Sequence, residues 1–167
     1  MSFLRSILVG TAAGAVGTTA LNVATYADMA ARGRAASSTP DTFVKNVASS
    51  RGIAPLAADD ETASHRRSGV GSLLGYANGL GVGALYGAIR PMLKGKVPLL
   101  VGALVAGGAA MLLSDVPATR AGATDPKKWG AADWLADAIP HALYGLGVAL
   151  AFDALDATDV RRDDAID

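Results

Sequence analysis

Four stretches of the chain contain no charged residue, and their lengths constrain the fold more than any other feature. They cover residues 6–27, 68–89, 97–114 and 138–152. A helix needs about 20 consecutive apolar residues to cross the ~30 Å hydrocarbon core of a bilayer. The first two stretches are long enough, the third is just long enough, and the fourth reaches this length when it is extended to residues 134–155.

This pattern predicts an all-α, polytopic membrane protein. We expect a single transmembrane domain over residues 1–155 and a polar, acidic tail over residues 156–167. Hydrophobic residues make up 51% of the chain, and charged residues only 18%, against about 25% in typical soluble proteins. The predicted bundle has four transmembrane helices, at about residues 5–28, 67–90, 96–115 and 133–155. A three-span bundle with a re-entrant or interfacial last segment is the alternative.

The first uncharged stretch has some features of a signal peptide, because Arg5 precedes it and small residues fill it. The apolar core of a signal peptide is usually about 7–15 residues long. This stretch is longer and contains Asn22. We therefore expect a retained transmembrane helix.

The distribution of Lys and Arg favours cytoplasmic termini in a protein of the inner (plasma) membrane. The short segment RPMLKGK, between the second and third predicted helices, carries three cations and no acid. Short loops such as this one weigh most in the positive-inside rule. Four arginines in the first connection, Arg32, Arg34, Arg66 and Arg67, favour the opposite orientation.

The polar connection over residues 28–67 contains a predicted amphipathic helix, STPDTFVKNVASS. Thr39 suits its N-cap, and Pro40 suits the first helical position. We expect this helix to pack on the end of the bundle, and a lipid-sensing element is the alternative. Its apolar face would consist of Phe43, Val44 and Val47.

Glycine recurs every four residues along the second predicted helix, at Gly71, Gly75, Gly79, Gly83 and Gly87. In a soluble helix each would cost about 1 kcal/mol relative to alanine. In lipid, small residues instead let helix backbones approach closely, and residues four apart form one ridge. The first predicted helix has small residues with the same spacing at Gly10 and Gly14. The glycine ridge would hold the protein's own bundle together or dock a partner's helix, and both roles are compatible.

The most suggestive polar set is DWLADAIPH, in which Asp133, Asp137 and His141 are spaced four apart. Ionisable groups inside a membrane are costly and often functional, and a carboxylate beside an imidazole could move protons or bind a divalent metal. A structural role is the alternative, with the acids at a helix N-terminus and the histidine neutral. Asn22 belongs to a polar stripe on the first helix, which suits helix packing or substrate contact. Asp115 is predicted to end the third helix in interfacial water.

Several function classes find no support in the sequence. There is no nucleotide-binding loop, HExxH motif or nucleophile elbow, and there is no cysteine. The net charge is zero, and no basic patch indicates nucleic-acid binding. We therefore expect a protein that is not an enzyme and has no cofactor or metal.

Two segments, GTTALNVATYADMAARGRAASSTPDTFV and TDPKKWGAADWLADAIPHALYG, resemble a family of small actinobacterial four-helix membrane proteins. The similarity covers about residues 5–150. The chain also resembles the accessory subunit, of the lipid uptake coordinator type, of mycobacterial Mce lipid-import complexes.

The second resemblance implies a non-catalytic subunit beside the permease helices of an ATP-driven lipid importer. Its partners would be membrane lipids and the larger membrane complex. Two alternatives are a self-contained small transporter or membrane enzyme that uses Asp137 and His141, and a free membrane homodimer.

Overall fold

The computed structural model describes residues 2–93 and 97–163, and every regular element in these ranges is a helix. Short 3-10 turns lie at Arg90–Met92 and Pro126–Lys128. The α-helices are α1 (Phe3–Arg32), α2 (Thr39–Ser50), α3 (Ala54–Ala57), α4 (Glu61–Ile89), α5 (Leu99–Arg120) and α6 (Ala131–Asp163).

Three of the described helices are long and apolar enough to cross a membrane. They are α1, α5 and the Ala131–Ala157 part of α6. Helix α4 has 29 residues and is uncharged over residues 68–89, but its glycines and Asn78 lower its mean hydropathy. The described chain is therefore all-helical, as the sequence predicts, with three candidate membrane spans.

Helices α1, α4, α5 and α6 form an antiparallel four-helix bundle. Helix α1 packs along both α4 and α6, and α5 packs mainly on α6. Helices α4 and α5 are consecutive along the chain, yet they touch over a much shorter length. Part of the turn predicted between them, residues 94–96, lies outside the described residues.

Helix α5 extends beyond its predicted end at about residue 115 and continues through Pro117 to Arg120. A proline removes one backbone hydrogen bond from a helix, but neighbouring elements hold this last turn in place. Ala118 is buried, and Asn46 of α2 donates a hydrogen bond to the Ala121 carbonyl at 2.8 Å. Asp115 therefore lies within α5 and does not end it, contrary to the sequence-based expectation.

Helix α6 likewise continues through Pro140 and remains helical to Asp163. Residues 156–163 of the predicted tail thus belong to this helix, while residues 164–167 lie outside the described residues. Because the helix is continuous, side chains four apart on either side of Pro140 keep a common face.

The segment predicted to form a helix in the first connection is helical over Thr39–Ser50, and Pro40 lies in its first turn. Ser38 occupies the N-cap position in place of Thr39. Val44 is buried, and Phe43 and Val47 are half-buried. These three side chains, with Ile53 and Leu56, line a small apolar cavity of about 130 Å³ against Val70 and Leu74 of α4.

Arg67 of α4 connects α2 and α3 to the bundle. Its residue is only 6% exposed, and Nε donates to both carboxylate oxygens of Asp41 at 3.1 Å. Nη1 donates to the carbonyls of Leu56 at 3.2 Å and Ala58 at 2.8 Å. One guanidinium therefore connects α4 to both short helices. We define α2 and α3 together as the end cap.

We expect Arg67→Met to loosen the end cap, because it leaves the Asp41 carboxylate and two carbonyls without their donor. Hydrogen bonds to charged groups are each worth about 1.5–3 kcal/mol, so the loss of unfolding free energy should be about 2 kcal/mol or more. Amide hydrogen exchange over residues 39–58 would measure it. The neighbouring Arg66 is exposed, so Arg66→Met is the matched control. Equal protection in both variants would contradict the role assigned to Arg67.

Candidate functional site

The second half of the α4 glycine ridge packs directly against α1. A Cβ built on Gly83 would lie 2.7 Å from the Gly14 nitrogen, and one built on Gly10 would lie 2.8 Å from the Gly87 Cα. Real Cβ atoms essentially never approach other atoms so closely. The two backbones are therefore in contact, and glycine is required on both helices.

The remaining glycines of the ridge have different surroundings. A Cβ on Gly79 would meet Thr18 of α1 and lie 3.4 Å from the Tyr144 ring. A Cβ on Gly71 would lie 3.0 Å from the Pro40 side chain in the end cap, whereas Gly75 has open space around it. The ridge is thus covered by the protein's own elements at Gly71, Gly79, Gly83 and Gly87.

Close backbone packing also joins α6 to its neighbours. A Cβ on Gly107 of α5 would lie 2.6 Å from the His141 carbonyl oxygen, and one on Gly145 would lie 2.6 Å from the Gly107 nitrogen. A Cβ on Gly17 of α1 would lie 2.8 Å from the Tyr144 carbonyl oxygen. Close packing of backbones at glycine therefore occurs at all three main helix contacts of the bundle, which are α1–α4, α1–α6 and α5–α6.

Aromatic side chains fill the interior between these glycine contacts. The Tyr144 hydroxyl, which is buried, donates to the Gly79 carbonyl at 2.6 Å and so bridges α6 and α4. Tyr86 and Phe152 meet edge to face at 5.4 Å. The Arg90 guanidinium lies over both rings and forms an ion pair with Asp153. This aromatic cluster closes the bundle at the end where α1 begins.

Helix α4 has a second small-residue face, which points away from α1. Gly81 is exposed, and a Cβ built on it would meet no atom within 4 Å. Ala77 is exposed on the same side, and Ala84 and Ala88 are half-exposed. We call this surface the outer face of α4, and define it by Ala77, Gly81, Ala84 and Ala88. Its spacings of four, three and four residues were visible in the sequence but were overshadowed by the regular glycine ridge.

The predicted polar set is only partly brought together. His141 Nδ1 lies 2.9 Å from the Asp137 carbonyl oxygen and 3.4 Å from its Oδ1. Asp133 is separate, since it is exposed and its Oδ2 accepts a hydrogen bond from the Gly130 nitrogen at 2.9 Å. The carboxylate of Asp133 thus caps the start of α6. This is the structural role that was the alternative to proton transfer or metal binding.

Asp115 is the group that the sequence analysis missed. From α5, its carboxyl lies in hydrogen-bonding reach of the Asp137 carboxyl and also interacts with His141. We call Asp115, Asp137 and His141 the polar cluster. In the described part of the chain, no group of three His, Cys, Asp or Glu residues is arranged to hold a metal ion.

The uncharged polar residues on α1 and α4 have different roles. Asn78 donates to the Ala110 carbonyl at 3.0 Å and thereby joins α4 to α5. The Thr18 hydroxyl is buried and bonds to the Gly14 carbonyl at 2.8 Å. Asn22 is half-buried one turn further along α1.

These features define the class of protein as an all-helical bundle with the composition and close glycine packing of membrane helices. Comparison with known proteins adds no family to this class, since no family model, curated protein or solved structure matches the chain. The resemblance to actinobacterial membrane proteins and Mce accessory subunits therefore stays a prediction.

We expect Gly83→Ala and Gly81→Ala to have opposite effects on stability. The first inserts a methyl group into the α1–α4 backbone contact, and overpacking of this kind costs about 1–3 kcal/mol. The second adds a methyl group in open space, where alanine favours the helix by up to about 1 kcal/mol. Thermal unfolding of the purified variants in detergent would measure both. Similar midpoints for the two variants would contradict the assigned packing.

Proposed function

We propose that this chain is a non-catalytic accessory subunit of a larger membrane complex and that it docks a partner helix on the outer face of α4. The open space at Gly81 is the observation that carries the proposal. In lipid, helices associate through close packing of small residues, because apolar side chains are equally well solvated by lipid tails. An uncovered small-residue face on a membrane helix therefore suits another helix.

The inner glycine ridge is not the docking surface in this proposal. Gly79, Gly83 and Gly87 already contact α1, so a partner helix could reach them only by displacing α1. Leu85 lies one turn after Gly81 and is 54% exposed. It borders the outer face and provides a side chain that can interlock with a partner helix.

The proposed topology has four membrane spans, with α4 as the fourth candidate. Helix α4 lies antiparallel along the length of α1, which is itself a candidate span. It contains no charge over residues 68–89, and Leu73 is 70% exposed on its surface. A helix of this kind beside α1 would meet lipid. The proposal places α2 as an amphipathic helix at the membrane surface and both termini in the cytoplasm.

The partner in this proposal is a lipid transporter in the inner membrane, of the Mce type that the resemblance implies. Membrane lipids would surround the remaining apolar surface. Helix α5 fits this arrangement, because it packs mainly on α6 and leaves large side chains exposed. These include Leu100, Leu104, Leu112 and Leu113.

Cysteine labelling would test the four-span topology, since the natural chain contains no cysteine. With four spans, Ser2→Cys and Met92→Cys should react with a membrane-impermeant maleimide from the same side of sealed vesicles. Ser50→Cys, in the end cap, should react only from the other side. If Met92→Cys and Ser50→Cys reacted from the same side, α4 would not cross the membrane.

Gly81→Leu should reduce recovery of the partner complex about tenfold, because overpacking costs about 1–3 kcal/mol and about 1.4 kcal/mol changes an affinity tenfold. The measurement is cross-linking in native membranes, followed by purification and quantitative mass spectrometry. Gly69 also has open space around it, and on a helical wheel it lies on a different side of α4 from Gly81. Gly69→Leu is therefore the matched control.

Each outcome of this experiment decides between the candidates. Loss of defined membrane subunits in Gly81→Leu alone would support docking on the outer face. Equal recovery in both variants would overturn it. A third outcome is that the cross-links join only two copies of this chain and that Gly81→Leu abolishes them. This would support a homodimer instead of an accessory subunit.

A further inference from the structure

The interior of the bundle is incompletely filled in the half that carries the polar cluster. Gly75 lies four and seven residues before Gly79 and Val82, which are both buried. All three residues therefore share one side of α4, yet a Cβ on Gly75 would meet nothing within 4 Å. The space that Gly75 faces is thus unfilled, although it lies on the inward side of the helix.

The polar cluster faces the same interior from α6. Asp137 and His141 lie two turns before Tyr144 and Val148, and so share their side of the helix. Tyr144 and Val148 are 1% and 0% exposed. Beyond them the interior is closed by the hydrogen bond from Tyr144 to the Gly79 carbonyl. The bundle therefore has an apolar, filled half and a partly open half with titratable groups.

One atom of the polar cluster lacks a hydrogen-bond donor. Asp137 Oδ2 is buried and accepts no hydrogen bond from any described N–H or O–H group. Its neighbour across the α5–α6 contact is the Asp115 carboxyl, which is also only an acceptor when ionised. Two ionised carboxylates cannot hydrogen-bond to each other, and a proton on either one supplies the missing donor.

We propose that Asp115, Asp137 and His141 form a proton-binding site between α5 and α6, which protons reach through the unfilled space beside Gly75. The bound proton converts two facing acceptors into a donor and an acceptor, and so joins the helices. The only bond that forms on the protein is the O–H bond of one carboxylic acid, and water supplies this proton and accepts it again on release. The short distance from His141 Nδ1 to the Asp137 carbonyl leaves Nε2 as the nitrogen that can exchange a proton.

The nearest charges that α1 and α4 bring towards this site are already paired with other residues. The uncharged stretches of α1 and α4 span residues 6–27 and 68–89. The nearest charge beyond them on α1 is Asp28, which pairs with Arg32 and Arg34. On α4 it is Arg67, which binds Asp41. In the end cap, Lys45 pairs with Asp59 and lowers the pKa of that exposed carboxyl.

The sign of the pH effect follows from proton linkage. The folded protein retains a proton that the unfolded chain releases as pH rises, so unfolding becomes more favourable with rising pH. Carboxyl groups of the unfolded chain are already ionised above about pH 5. We therefore expect the unfolding equilibrium constant of the wild-type protein in detergent to rise about tenfold between about pH 5 and about pH 8, as the folded protein releases its proton.

Asp115→Asn should reduce this dependence, because the amide supplies a permanent N–H donor to the Asp137 carboxylate, and the pair of Asp137 with His141 accounts for what remains. Asp133→Asn is the matched control on an exposed carboxylate outside the cluster, and it should keep the wild-type dependence. A wild-type profile as flat as that of Asp115→Asn would overturn the proposal, and so would loss of the dependence in Asp133→Asn.

Infrared spectroscopy provides a second measurement that does not depend on stability. At about pH 5 the wild-type protein should show the C=O stretch of a protonated carboxylic acid, and this band should disappear as the pH rises to about 8. Asp115→Asn and Asp137→Asn should each lack it, whereas Asp133→Asn should retain it. Absence of this band from the wild-type protein would exclude the bound proton.

Discussion

The direct contact between the α1 and α4 backbones is the interaction on which the rest of the bundle depends. At Gly10, Gly14 and Gly83 neither helix has a side chain that could fill a wider gap. The attraction across this seam is the sum of many small dispersion contacts, and these weaken quickly with distance. With α1 held at this distance, α6 can pack on its other side through Gly17, and α5 is then added through α6. The aromatic side chains fill only the space that these spacings leave.

This architecture gives α4 two distinct faces. The inner face is used to build the protein, and the outer face, with Gly81 at its centre, remains free. A small-residue face supports association in lipid only if a second backbone can reach it. The exposed position of Gly81 meets that condition, whereas the position of Gly83 does not. The two faces therefore separate assembly of the chain from proposed binding to a partner, although they lie on a single helix.

The sequence predicted the helical class and the role of the four-residue glycine spacing, because both follow from local patterns. It could not predict which helix would cover the glycine ridge, since one of the chain's own helices and a partner's helix need the same groove. Asp115 was missed because Pro117 marks a local helix end, and only the contact with Asn46, far away in the sequence, shows that α5 continues. Arg67 was treated as a loop cation for the same reason, because its partner Asp41 lies 26 residues away.

The hydrogen bond from Tyr144 to the Gly79 carbonyl divides the interior into two unequal parts. On one side of it the bundle is filled by aromatic rings, and on the other it contains open space and titratable groups. The proposed proton site lies in the second part, and the filled part separates it from the end of the bundle where α1 begins. A proton bound there would exchange only with the compartment on the end-cap side, so the site would respond to the acidity of that compartment and would not conduct between two.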